Sequence, residues 1–353
     1  MPPSHGDRDH AAHRYDAVLV LSFGGPEGPD QVMPFLQNVT RGRGVPPERL
    51  EEVAEHYRLF DGVSPINAQN RALVAALSEL LASRGPKLPV YWGNRNWHPF
   101  IEDTLATMRD DGIGRAITFV TSAFSSYSAC RQYREDMLRA QKVVGKGAPI
   151  LDKLRHFFNH PGFIDPQVEN VGRALEGMPI ERRREARLVF TAHSIPTAMA
   201  DTSSYVSQLH EASRLVAEGL GRRDEWDLVY QSRSGSPRVP WLEPDVCDHI
   251  EDLSEKGVRD VVLVPIGFVS DHLEIAFDLD IEARGKAKEC SMGLVRAATV
   301  GTHPRFVEMI RELIVERTSG ASERIAVGDL EASHDVCAAD CCVFHPTKPV
   351  PVA

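Results

Sequence analysis

Residues 261–282 read VVLVPIGFVSDHLEIAFDLDIE. The first nine, Val261–Val269, are almost wholly apolar, which is how a strand buried on both faces of a parallel sheet reads. The period then changes: Glu274, Asp278 and Glu282 recur at i, i+4 and i+8, so on a helix they share one face. A buried strand feeding a helix is the unit of an α/β sheet, and the chain repeats it. Strand-like runs stand at Ala17–Phe23, Pro89–Gly93, Ala116–Thr121, Leu188–Ala192, Leu228–Gln231, Val261–Phe268 and Leu294–Val300. Helical periodicity lies between them, at Ala68–Ser83, Ile101–Asp110, Tyr133–Val144, Tyr205–Leu220 and Phe306–Arg317. The pattern predicts a doubly wound α/β fold with parallel sheets and a functional crevice at the strands' carboxyl ends.

The segment Asn159–Asn170, with two prolines and a glycine, is the expected crossover between two lobes of three or four strands each. The expected organisation is a disordered polar tail over 1–14, an N-terminal lobe over 15–160 and a C-terminal lobe over 161–302. A helix with an extension follows over 303–342, then a proline-rich disordered tail over 343–353. No internal repeat is legible.

The formal net charge of −10 lacks the basic footprint that nucleic-acid binding needs. Val261–Val269 falls far short of the roughly 20 apolar residues that span a bilayer. The first fourteen residues hold no apolar signal core, and the expectation is a cytoplasmic protein. Six cysteines in 353 residues do not make a secreted disulfide scaffold. Cys130, Cys247 and Cys290 stand alone, whereas Cys337, Cys341 and Cys342 crowd together near the end.

The informative side chains sit at strand ends. Leu188–Ala192 runs into His193-Ser194-Ile195-Pro196, and Pro196 biases the residue before it away from helix. A histidine there suits proton transfer near neutrality, and it also suits a plain hydrogen-bonding role at a strand end. The stripe Glu274, Asp278, Glu282 has two readings as well. It is either a solvated face or a line of carboxylates conducting a hard divalent cation. Other segments suit a pocket for a large flat anion: the glycine turn LSFGGP (21–26) with Phe23, and TRGRG (40–44), whose Arg41 and Arg43 can grip carboxylates. YWGNRNWHP (91–99) adds Arg95, and QSRSGSPRVPWLEP (231–244) adds Trp241. The turn Gly24–Gly28 lacks the G-x-G-x-x-G spacing of a dinucleotide fingerprint.

Taken in order, LSFGGP, DGVSPI (61–66), FTAHSIP (190–196), QSRSGSPRVPWLEP and GFVSDHLE (267–274) resemble the ferrochelatase family, over about residues 15–317. The resemblance implies two Rossmann-like lobes clasping a porphyrin, with ferrous iron as second substrate and neighbouring haem-pathway enzymes as transient partners. His193 matches the family's active-site histidine and Glu274 the glutamate facing it. Asp278 and Glu282 continue as a metal path, so His193, Glu274, Asp278 and Glu282 are the expected iron contacts. Phe23, Arg41, Arg43, Ser64, Arg95, Ser126 and Trp241 are the expected porphyrin contacts. Some bacterial relatives carry tyrosine where Phe23 stands; phenylalanine cannot ligate iron, which leaves product ligation to a group such as His193. The run Cys337-Ala338-Ala339-Asp340-Cys341-Cys342 resembles the extension by which a subset of the family holds a 2Fe–2S cluster. Its fourth ligand would be Cys130, in SSYSAC (125–130). A structural zinc site is the alternative for these cysteines, and Cys247 and Cys290 are expected as ordinary buried thiols. A porphyrin carrier without turnover and a cobalt chelatase are the rivals to iron insertion. With Arg41 and Arg43 at the lip, coproporphyrin, with four propionates, is expected over protoporphyrin.

Overall fold

The computed structural model describes residues 14–42, 44–235, 238–321 and 323–344. The strands are β1 (Ala17–Ser22), β2 (Val90–Asn94), β3 (Arg115–Val120), β4 (Ile150–Lys153), β5 (Arg187–His193), β6 (Trp226–Gln231), β7 (Asp260–Val264) and β8 (Gly293–Arg296). They form two four-stranded parallel sheets, ordered β2-β1-β3-β4 and β6-β5-β7-β8. The topology is thus used twice, although no sequence repeat betrays it. The sequence patterns miss β4 because ILDK is a short, half-exposed edge strand with no apolar run. Strand β7 is shorter than expected, ending before Pro265, which has no N–H to give a ladder.

Register places the site. The last pair of β1 and β2 is Ser22 with Asn94, and the last pair of β5 and β6 is His193 with Gln231. His193 therefore holds in the second sheet the place Ser22 holds in the first. Both lie at the carboxyl end of a strand beside the point where strand order reverses.

The expected crossover proves to be the helix Pro161–Glu176 rather than an irregular linker. Pro161 sits in its first turn, where no N–H is missed, and the His160 ring accepts from the Gly162 N–H at 3.0 Å. This helix packs against the helix Pro304–Ser319 so closely that a Cβ on Gly162 would lie 2.5 Å from Met309 Cβ. Phe157, Phe163 and Phe306 form a ring cluster at their junction, stacked and edge-on with Phe119 of β3. One apolar core consequently runs from Val18 and Phe119 in the first sheet to Phe190 and Val264 in the second. Each buried phenylalanine contributes on the order of 1.5–3 kcal/mol to that junction.

Beyond Ser319 the described residues hold no regular secondary structure, yet they are pinned. Fully buried Arg155 makes a bidentate pair with Glu316, 2.7 and 2.9 Å, and donates to the Ile325 carbonyl at 2.9 Å. Asn159 donates to the Leu330 carbonyl at 2.6 Å, and Arg324 reaches Asp335 at 2.8 Å. No helix among the described residues is long and apolar enough to cross a membrane.

Candidate active site and cysteine centre

His193 ends β5 with its side chain about a third exposed. Its Nδ1 contacts the Ser194 carbonyl, which can only accept, so Nδ1 carries a proton. Nε2 faces Glu274 Oε2 at 3.6 Å. The turn after His193 is held from several sides. The Tyr205 hydroxyl donates to the His193 carbonyl at 3.0 Å, and Ser194 Oγ donates to the Leu242 carbonyl at 2.8 Å. Pro196 bridges to Trp241, and the Leu242 N–H donates to the Ile195 carbonyl at 3.0 Å.

Glu274 opens the helix of the acidic stripe, but that helix is of the π type from Ile275 to Ala283. In an α-helix four residues overshoot one turn, whereas with i→i+5 bonding they fall slightly short. The three carboxylates still share a side, with the opposite drift. Ile275, Leu279 and Ala283 face inward onto Val189, Ile250 and Leu263. Glu274 and Glu282 are exposed and Asp278 is half-buried between them. Burial pushes the Asp278 carboxyl up to about 7, aided by the charges of Glu274 and Glu282 and opposed by the hydrogen bond from Ser232. Ser232 adopts φ 62° to make that bond, a left-handed conformation unusual for serine and of the kind that collects at functional sites. Gln231 Nε2 adds a contact to Asp278 at 3.5 Å.

Several participants were not among the expected site residues. His272 Nδ1 lies 3.8 Å from Glu274, and burial lowers its pKa, so it stands neutral. Tyr57 is buried against Leu273, and after burial itself the Glu274 charge is what raises its hydroxyl pKa. Arg296, at the end of β8, binds Asp280 at 2.8 and 2.9 Å and Asp271 at 3.3 and 3.4 Å, bracketing the acidic helix. Of these, His272 and Asp271 lie inside the motif GFVSDHLE, while Tyr57 and Arg296 lie in none.

In the first lobe the Gly24–Gly25 turn (Gly24 φ +85°) presents Phe23, more than a third exposed, edge-on to Phe35 at 6.4 Å. Ser64 is buried beneath it, its N–H donating to the Pro26 carbonyl at 2.8 Å. The lip helices Pro29–Val39 and Pro47–Arg58 pack on Leu273, and His56 stacks on Phe277 at 3.7 Å, so the lip touches the acidic helix. Arg41 is exposed just past the first lip helix; Arg43 lies outside the described residues. Arg95 is buried, paired with Asp136 at 2.5 Å and stacked over Tyr133 at 4.3 Å. Ser126 is buried too, its Oγ accepting from the Ala129 N–H at 3.0 Å. Both have partners within the protein. The Trp241 ring is half-buried and lies against Gly235.

The cysteines assemble elsewhere. Cys130 is buried in the π turn Tyr127–Arg131 and hydrogen-bonded to Cys337. Cys341 and Cys342 have their sulfurs 3.7 Å apart. Donor atoms of His334, Cys337 and Cys341 lie within 4.8 Å of one another. Hydrogen bonds from Cys130 and then His334 pull Cys337 far below the usual thiol range, and the Lys153 charge acts in the same direction. Arg131 donates to the carbonyls of Ala339 and Cys341 at 2.9 and 3.1 Å, and Arg134 to that of Ala338 at 3.3 Å. Cys247 and Cys290 stand apart, half-buried rather than buried. Burial and the charges of Asp245, Glu282 and Asp278 push the Cys247 thiol up to about 12.

Residues 15–318 match the family model described as Ferrochelatase. The chain is 54% identical over 340 residues to the "Ferrochelatase" of Rhodopirellula baltica, covering 96% of each. It is 57% identical over 310 residues to the "Coproporphyrin III ferrochelatase" of Mycobacteroides abscessus, covering 87% of this chain and 89% of the other. A protein of that same description from Streptomyces coelicolor is 52% identical over 359 residues, covering 96% of each. Among solved structures, SirB from Bacillus subtilis with Fe3+ superposes with a TM-score of 0.53 at 12% identity, over 89% of this chain and 99% of that one, a likeness of fold. With two parallel sheets, the His193–Glu274 pair at the carboxyl end of the second, and residues 15–318 matching the family model, the chain belongs to the ferrochelatase family.

Proposed function

We propose that this chain inserts ferrous iron into coproporphyrin III. The carrying observation is the facing of His193 Nε2 and Glu274 Oε2 at 3.6 Å, a ring nitrogen and a carboxylate brought together from beyond two neighbouring strands of one sheet. Insertion exchanges two pyrrole N–H protons for one Fe2+, forming metal–nitrogen bonds and releasing two protons. His193 takes a proton from a pyrrole nitrogen, and Glu274 is placed to receive it and pass it outward. Asp278 and Glu282 strip and guide the iron through carboxylate contacts, which suit a hard divalent ion. Phe23 and Trp241 flank the macrocycle, and Ser64 shapes the turn that carries Phe23. Arg41, at the lip, holds a propionate, and the neighbouring Arg43 of the same TRGRG run is read as its companion; this, with the relatives' descriptions, supports coproporphyrin. Arg95 and Ser126 act from behind, through the cleft wall. The test is metallation by the purified protein of coproporphyrin III and protoporphyrin IX, each with ferrous and cobaltous ions. Faster iron insertion into coproporphyrin supports the reading, and cobalt preference or no turnover overturns it.

We read the second centre as a 2Fe–2S site held by Cys130, Cys337, Cys341 and Cys342. Four thiols meet there, one already favoured as thiolate, with Lys153 as a neighbouring cation, and four thiolates suit such a cluster. Bound, the cluster supplies a covalent tie between the extension and the body. Metal insertion transfers no electrons, so the role is structural or sensing. Two irons and two acid-labile sulfides per chain support this, and one zinc overturns it.

A further inference from the structure

Five donor side chains meet at a centre that needs four. Cys130 and Cys342 are buried at its floor, and Cys337 and Cys341 are half-buried. His334 is exposed, at the rim, three residues before Cys337. Its ring nitrogen falls within 4.8 Å of both the Cys337 and the Cys341 sulfur, and it is hydrogen-bonded to Cys337. The segment bearing it is fixed on both sides. Arg324 donates to the Ser333 carbonyl at 3.1 Å and to Asp335 at 2.8 Å, and Arg134 lies 3.3 Å from the Ala338 carbonyl. The ring thus approaches the sulfurs from the solvent side, with the buried positions taken by thiols.

We propose that His334 is a positioning residue of the cysteine centre, donating an N–H to the Cys337 sulfur rather than ligating metal. The inference rests on the iron–sulfur reading above. Reducing a 2Fe–2S centre by one electron adds one negative charge, spread over its sulfurs. A donor aimed at a sulfur stabilises the reduced form more than the oxidised one and so raises the reduction potential, which hydrogen bonds to cluster sulfurs and solvent exposure are known to set. His334 supplies that donor.

The experiment is a redox titration of full-length wild type, His334→Ala and His334→Gln, at one fixed pH, with dithionite as reductant and visible circular dichroism as readout. Expected is an unchanged two irons and two sulfides per chain in all three. The potential of the alanine variant moves to a more negative value, and glutamine, which keeps an N–H donor, recovers part of the shift. An alanine variant with wild-type potential overturns the proposal. So does loss of iron and sulfide from a variant that remains folded by far-ultraviolet dichroism, since His334 would then be a ligand. One zinc and no sulfide in the wild type overturns the iron–sulfur reading itself, and this inference with it.

Discussion

His193 and Glu274 come from different strand ends of one sheet, yet their Nε2 and Oε2 atoms stand 3.6 Å apart. The Ser194 carbonyl holds the proton on the far nitrogen of the ring. The other nitrogen, Nε2, is the one turned toward Glu274. His193→Ala should lower iron insertion by about 10²–10⁴-fold, the usual weight of a positioned acid–base group. Porphyrin binding, followed by fluorescence quenching without iron, should change far less. Retention of more than about a tenth of wild-type turnover would remove His193 from the proton path.

Asp278 carries a pH signature. Its pKa near 7 in the folded protein lies above the roughly 3.9 of a free aspartate, so the unfolded chain ionises first as pH rises. The residue consequently counts against folding, by an amount that grows between about pH 4 and pH 7 and stays constant above. Asp278→Asn should raise thermal stability at pH 8 and leave it nearly unchanged at pH 4. The apparent KM for iron should fall in the wild type as pH rises through about 7, and that dependence should flatten in the asparagine variant. An iron KM that ignores both pH and the substitution would return the stripe to an ordinary solvated face.

Arg41 is exposed just past the first lip helix, and its proposed role is to meet a propionate. A well-formed guanidinium–carboxylate pair contributes roughly 1.5–3 kcal/mol. Arg41→Ala and Arg43→Ala should each weaken coproporphyrin III more than protoporphyrin IX, read as the ratio of the two KM values. Equal losses would take away the arginines' part in substrate choice.

Arg155 buckles the extension to the body. Replacing it with methionine leaves the Glu316 carboxylate and the Ile325 carbonyl without their donor. Breaking a buried pair by removing one partner typically costs about 3–5 kcal/mol. Arg155→Met should lower the unfolding midpoint sharply, and the iron proposed for the cysteine centre should be lost below the temperature of global unfolding. The double variant Arg155→Met/Glu316→Gln should regain part of the loss. A midpoint unchanged in the single variant would show the extension to be held by other contacts.

The sequence by itself determined the α/β class, the position of most strands and the identity of the facing pair. Each rests on local information: apolar runs such as Val261–Val264, and motif residues placed at the ends of those runs. Tertiary structure decided the rest. The repeated strand order appears only when β4, a half-exposed tetrapeptide, finds β3. Helix Pro161–Glu176 is a helix, prolines included, because Phe163 and Gly162 find Phe306 and Met309 in a segment far along the chain. The raised pKa of Asp278 depends on burial, against the pull of the Ser232 hydrogen bond, which no spacing encodes. Residues 323–344 show no periodicity because donors from distant segments, Arg131, Arg134, Arg155 and Asn159, hold their carbonyls instead of a helix or sheet ladder. Backbone groups must be paired when buried. Which side chain pairs them is settled only once the chain has folded.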